Sequence, residues 1–162
     1  MSKEADLAEK FWKALKSDRT VMLGLPDHES GRAQPMTAVF EGSHSGPIWI
    51  FSAVDVDLVR AVEGGEREAF LHFVSKGHNL FAAVEGRMRI DNDRGTIDRL
   101  WNPFVAAWYS GKNDPKLRLL RFETGSAQIW LNESSLFASV KMMLGADPKK
   151  EYKDKVGEVR LQ

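Results

Sequence analysis

The sequence predicts a mainly β protein, a small antiparallel barrel with peripheral helices. Two observations carry this. About six or seven short segments show strand periodicity or β-rich composition. The helical segments between them are short and leave no room for a regular βαβ succession. With 43% hydrophobic residues in 162, the chain has enough apolar surface for a real core.

The elements follow in order. Leu7, Phe11, Ala14 and Leu15 recur at helical spacing, with Glu4, Lys10, Lys13 and Lys16 elsewhere on the wheel, so the chain opens with an amphipathic helix. The period then changes. "RTVMLGL" (19–25) is β-rich and stops at Pro26, and "DHESGR" is a loop. "AQPMTAVFEG" alternates, with Gln34, Met36, Ala38 and Phe40 on one face, and "GPIWIFSA" (46–53) is a second strand. The Gly- and Ser-rich link "EGSHSGP" predicts a hairpin-type turn between them. "DVDLVRAVEGG" is a short helix with Asp55 or Asp57 as cap and Gly64 as stop.

"REAFLHFVS" (67–75) and "NLFAAVEGRMRIDN" (79–92) are strands, the second with Met88 and Ile90 alternating with Arg87, Arg89 and Asp91. "DRGTIDRLW" is a helix with Ile97 and Leu100 inward. "KLRLLRFETGSAQIWLN" (116–132) is either a hairpin around "ETGS" or one strand with a bulge. "SSLFASVKMMLG" (134–145) reads as a helix capped by Ser134 or Ser135 and stopped by Gly145, and the tail ends in "EVRL", a last strand. The expected organisation is one domain over 1–162, with a core of about 5–132 and a C-terminal helix and tail over 133–162.

Composition removes several functions. The 23 basic and 23 acidic residues cancel to a formal net charge of zero, against the basic excess of a general nucleic-acid binder. Cysteine is absent, which rules out a disulfide, a thiolate metal site or a cysteine nucleophile. "MSKEADLAEKFWKALKSD" lacks the apolar run of a signal peptide, and nowhere do about 18 apolar residues run together. The cytoplasm is the expected location. His28, His44, His72 and His78 form no metal-type pair, so no metal is expected. There is no G-x-S-x-G, Walker loop or G-x-G-x-x-G.

Aromatic residues are the stronger signal. Trp49, Phe51 and Phe73 fall inside strands, and core packing is the expectation for Trp49 and Phe73. Trp101, Trp108 and Tyr109 occupy "LWNPFVAAWYSGKNDPKL", which Pro103, Gly111 and Pro115 interrupt. With Trp130 they sit at the edges of regular elements, where a flat ligand or a subunit interface would use them.

In order and spacing the chain resembles the flavin-binding split-barrel proteins related to pyridoxamine 5′-phosphate oxidase, and within them the bacterial general stress proteins. The resemblance rests on "AQPMTAVFE", "PIWIFSAVDVDLVRAV", "LHFVSKGHNLFAAVEGRMRI", "DRGTIDRLWNPFVAAWYSGKNDPKLRLLRF" and "AQIWLN". It implies a homodimer of six-stranded antiparallel split barrels, with FMN (FAD as the other candidate) in two clefts at the interface. In that reading Trp101, Trp108 and Tyr109 wall a cleft, and Trp130 stands where relatives place an aromatic near the ring system.

Residue by residue, relatives read Arg-Pro-Met-Thr on the first ring-contacting strand, and here the residues are Gln34, Pro35, Met36 and Thr37. An edge strand offers unpaired backbone groups to the polar edge of a ring. Phe51 and Ser52 match the next aromatic-hydroxyl pair. The Ser-x-Lys pair that holds the phosphate in relatives is replaced by Val56-Asp57-Leu58. Arg60 is the first substitute cation, with Arg32, Lys76 and backbone N–H groups at the start of the 57–63 helix as others.

The resemblance implies an oxidoreductase acting on a small acceptor, with catalytic residues unassigned. The alternative is a flavin-binding stress-response sensor or interaction module without turnover. A dimer holding another planar cofactor, haem or a deazaflavin, is a third reading, and no histidine is placed as a haem ligand.

Overall fold

Six strands hydrogen-bond in the spatial order β2-β1-β4-β5-β6-β3, and a seventh, β7, adds to β6. The strands are β1 (Thr20–Gly24), β2 (Gln34–Thr37), β3 (Ile48–Ala53), β4 (Arg67–Val74), β5 (Leu80–Ile90), β6 (Leu117–Leu131) and β7 (Val156–Arg160). All pairings are antiparallel. The helices are α1 (Lys3–Ser17), α2 (Asp57–Ala61), α3 (Arg94–Leu100) and α4 (Pro103–Ala106). The structure, a computed structural model, describes residues 2–42, 45–132, 143, 145 and 155–161. The expected helix over 134–145 and His44 lie outside the described residues, apart from Met143 and Gly145.

The fold is the antiparallel split barrel that the strand pattern and the resemblance predict. The sheet is not a closed ladder. Among the described residues, its two end strands, β2 and β3, share no ladder, and an isolated bridge joins Val39, just beyond β2, to Trp49 of β3, with N–O distances of 2.8 and 2.6 Å. The hairpin expected between these strands is therefore a single bridge. The full partner of β3 is β6, from Ile48 opposite Phe122 to Ala53 opposite Leu117.

Leu7, Phe11, Trp12 and Leu15 of α1 share one buried core with Leu23, Ile50, Leu71, Phe73 and Phe122 of the sheet. Trp12 lies between Phe11 and Phe40, at 5.3 and 5.2 Å between ring centroids. The helix starts cleanly because Ser2 accepts from the Ala5 N–H and Glu4 and Asp6 occupy the first turn. Trp49 and Phe73 are buried, as core packing requires.

The segment around "ETGS" is one continuous strand with a bulge, the second of its two expected forms. Register runs from Val84 opposite Ala127 to Gly86 opposite Thr124, so β6 carries one extra residue there. Gly86 is required at this point. A Cβ on it would lie 2.3 Å from the Glu123 carbonyl oxygen and 2.7 Å from the Phe122 ring.

α2 departs from its expected capping. Its N-cap is Val56, which makes no side-chain capping bond, and Asp57 stands in the first turn instead. The Asp57 carboxylate faces across the chain to His28 Nε2 at 2.8 Å. α3 follows the rule that α2 breaks. Asp93 accepts from the Thr96 N–H and hydroxyl at 3.0 and 2.8 Å, and these bonds hold its carboxyl below the usual carboxylate range. Among the described residues, no helix is long and apolar enough to cross a membrane.

Candidate functional site

The edge strand β2, the C-terminal half of β3 and the segment 102–109 enclose a cleft of about 800 Å³. Each wall has a local cause. β2 ends the sheet, so Pro35, which has no N–H to give, removes nothing from a ladder on its free side. Its paired side faces Met22 of β1. Pro35, Met36 and Thr37 all line the cleft. From β3 come half-buried Phe51 and buried Ser52, followed by Ala53 and Val56.

The third wall is the aromatic segment that proline and glycine interrupt. It holds one short helix, α4, set by Asn102. The Asn102 side-chain oxygen accepts from the N–H groups of Phe104 and Val105, at 2.9 and 3.1 Å. Its amide donates to the Leu100 carbonyl at 3.2 Å. Pro103 follows in the first turn, where a missing N–H costs nothing. Phe104 and Trp108, four residues apart, then project outward at 84% exposure each, while Val105 turns inward.

Beyond α4 the chain is tied down. Asp114 accepts from the N–H groups of Ser110 and Lys116, both at 2.9 Å, and these bonds lower its pKa. Lys112 lies 3.3 Å from Asp98 of α3, and Arg94 donates to Asn113. Tyr109 lines the cleft half-buried. Burial raises its pKa, with help from the negative charges of Asp114 and Asp55, so at neutral pH it is a phenol with a proton to donate.

Six of the ten sequence-predicted site residues thus meet on one cleft: Pro35, Met36, Thr37, Phe51, Ser52 and Trp108. Four do not line it. Gln34 begins β2 opposite Leu23. Trp101 stands behind the wall, with its ring 6.1 Å from Phe51 and 6.5 Å from Tyr109, so it supports two lining residues. Arg60 is exposed on α2. Trp130 lies on the outer face of the sheet, in a row with Phe81 and Val156, while Ile129 beside it is in the core. Arg32 and Lys76 are also exposed and away from the lining.

The sequence reading missed Arg19, just before β1, as a cleft residue. It also gave Val56 and Leu58 equivalent places. Val56 lines the cleft, but Leu58 is in the barrel core at 2% exposure. Across the loop before β2, the ligand atoms of His28, Glu29 and Asp57 come within 4.8 Å of one another. The 29-residue separation of His28 and Asp57 hides this contact from any motif search. A wider groove of about 1120 Å³ crosses β4–β7. It mixes Glu68, Glu85 and Glu158 with Arg87 and Arg160 and takes in none of the predicted site residues.

A split barrel with a mostly apolar cleft beside its edge strand defines the structural class. The family model described as pyridoxamine 5′-phosphate oxidase like matches residues 6–154. Among solved structures, a general stress family protein of Xanthomonas campestris pv. campestris is 55% identical, with a TM-score of 0.78 over 84% of this chain and 94% of that one. The general stress FMN/FAD binding protein of Xanthomonas citri is 58% identical, with a TM-score of 0.77 over 81% of this chain and 92% of that one. General stress protein 26 of Jannaschia sp. CCS1 is 29% identical, with a TM-score of 0.77 over 97% and 99%. No curated protein matched the chain. The chain belongs to the pyridoxamine 5′-phosphate oxidase like family, as the motif order implied.

Proposed function

We propose that the protein binds a flavin, FMN or FAD, in the cleft of β2, β3 and residues 102–109, and that it acts as a homodimeric oxidoreductase on a small acceptor. The observation that carries the reading is the convergence of Pro35–Thr37, Phe51, Ser52 and Trp108 on one cleft. The FMN/FAD binding named for the Xanthomonas citri relative supports it.

The residues present fit such a group. The volume lies within the range of small-molecule sites. Phe51, Trp108, Val39 and Val105 offer apolar surface for a flat ring, and Thr37, Ser52 and Tyr109 offer hydroxyls for its polar edge. Asn102 is committed to capping α4 through both ends of its side chain, so its role is to hold the wall. When bound, a flavin supplies hydride or electron transfer. Among the described residues, the lining includes no carboxylate and no histidine, and the part assigned to those residues is to bind, orient and exclude water.

The homodimer is supported by apolar surface left open on the single chain. Phe104 and Trp108 are almost wholly exposed, and Met22 and Val74 are 40% and 45% exposed on the outer sheet face. A second copy covering that face would also bury the row that contains Trp130.

The first test is titration of the purified protein with FMN and FAD, following quenching of flavin fluorescence, together with the spectrum and mass of any molecule that co-purifies. Saturable quenching is expected. If neither flavin binds at tens of micromolar, the flavin reading falls. NAD(P)H oxidation by the loaded protein then separates an oxidoreductase from a flavin-binding module without turnover.

A further inference from the structure

We propose that Arg19 is the phosphate anchor of this cleft, replacing the hydroxyl and amine whose places Val56 and Leu58 occupy. The proposal rests on the flavin reading above and names the residue that would meet the anionic end of that ligand.

Arg19 is the one charged residue among those described on the cleft walls. Every other lining side chain is apolar or neutral. Its guanidinium makes no hydrogen bond or ion pair to a described residue. That sets it apart from Arg87, Arg99 and Arg121, which are engaged by Glu66, Glu41 and Asp91. The backbone fixes where it stands. The Arg19 carbonyl accepts from the Ala38 N–H at 2.7 Å, and the next pair is Thr20 opposite Thr37. Arg19 therefore stands immediately before β1, beside the end of β2, the strand that supplies Pro35, Met36 and Thr37 to the cleft.

The alternatives are poorer. Leu58 is closed in the core, Val56 has no donor, and Arg32, Arg60 and Lys76 are not on the lining. α2 is only five residues long and its N-cap makes no side-chain bond. Burial, and after it the negative charges of Asp114 and Asp55, raise the pKa of Tyr109, and those two charges repel an anion on that side. A guanidinium offers several donors in a fixed fork that matches phosphate oxygens. An elongated ligand with an apolar ring and an anionic tail would then lie with its tail toward Arg19.

The test compares FMN, FAD and riboflavin, which has the same ring and no phosphate, on the wild-type protein and on Arg19→Gln. Wild type should bind FMN more tightly than riboflavin. The substitution should weaken FMN by about tenfold or more, the scale of a lost charged hydrogen bond, and leave riboflavin within about twofold of wild type. Loss on FAD as well assigns Arg19 to a phosphate shared by both cofactors, and loss on FMN alone assigns it to a terminal phosphate. Arg60→Gln, off the lining, should change none of the three. Unchanged FMN affinity in Arg19→Gln, or equal weakening of FMN and riboflavin, overturns the anchor and leaves the flavin reading standing. Failure of wild type to bind any of the three overturns both.

Discussion

Trp108→Ala separates folding from ligand binding. Trp108 is 84% exposed in the single chain, so its ring contributes little to the barrel. Truncation should change unfolding free energy by no more than about 0.5 kcal/mol, as surface substitutions do. The cost appears only when something covers the ring. Burying a large apolar side chain contributes about 1.5–3 kcal/mol, so removing it should weaken whatever covers it by about 10- to 150-fold. Urea unfolding of the ligand-free protein gives the first quantity. FMN titration gives one candidate for the second, and sedimentation equilibrium gives the other. If the cleft is shared between copies, both affinities fall together. Trp101→Ala is the contrast, since Trp101 packs on Phe51 and Tyr109 and should reduce stability as well as binding. FMN affinity and dimerisation both within about twofold of wild type in Trp108→Ala would refute the placement of this ring in the site.

Four further outcomes follow from the packing and hydrogen bonds. Leu58→Lys should destabilise the fold by at least about 3 kcal/mol in urea, because it removes a core leucine and brings in a charge. Val56→Ser should be tolerated, since it supplies α2 with the capping hydroxyl it lacks. Tighter FMN binding in a stable Leu58→Lys protein would contradict the burial of this position. Gly86→Ala should cost about 1–3 kcal/mol, the range for overpacking, because its Cβ would meet the Glu123 carbonyl and Phe122; a neutral thermal melt would count against the bulge geometry. The folded-state pKa of Asp114 lies below its unfolded value. Its contribution is therefore complete above the ordinary carboxylate range and is lost as pH falls through the depressed value, below about pH 4. Acid titration should loosen the 110–116 loop in wild type, and Asp114→Ala should loosen it already at neutral pH. Equal amide-exchange protection of that loop in the two proteins would refute this.

Local signals carried most of the fold. Alternating or β-rich stretches located β1 through β6, and the inward spacing of Ile97 and Leu100 located α3, whereas the interrupted aromatic segment gave no sign of α4, which Asn102 caps. The errors arose where a distant residue decides. Nothing local says that β3 takes β6 as its partner instead of its sequence neighbour β2, because that choice depends on closing the barrel. Asp57 reads as a cap until His28, from another loop, is brought to 2.8 Å.

The site shows the same division more sharply. Motif order placed Val56 and Leu58 as a pair, two residues apart, as if both faced the ligand. At the start of a helix, residues two apart do not share a face. Here one points to the cleft and the other to the core. The two positions therefore face different surfaces, Val56 the cleft and Leu58 the core. At Leu58 the chain has committed the position to the hydrophobic core, where a lysine could return only at a cost to stability. The cation proposed for this cleft comes from elsewhere in the chain. Arg19 precedes Val56 by 37 positions and carries no motif, so only the pairing of β1 with β2 brings it to the same wall.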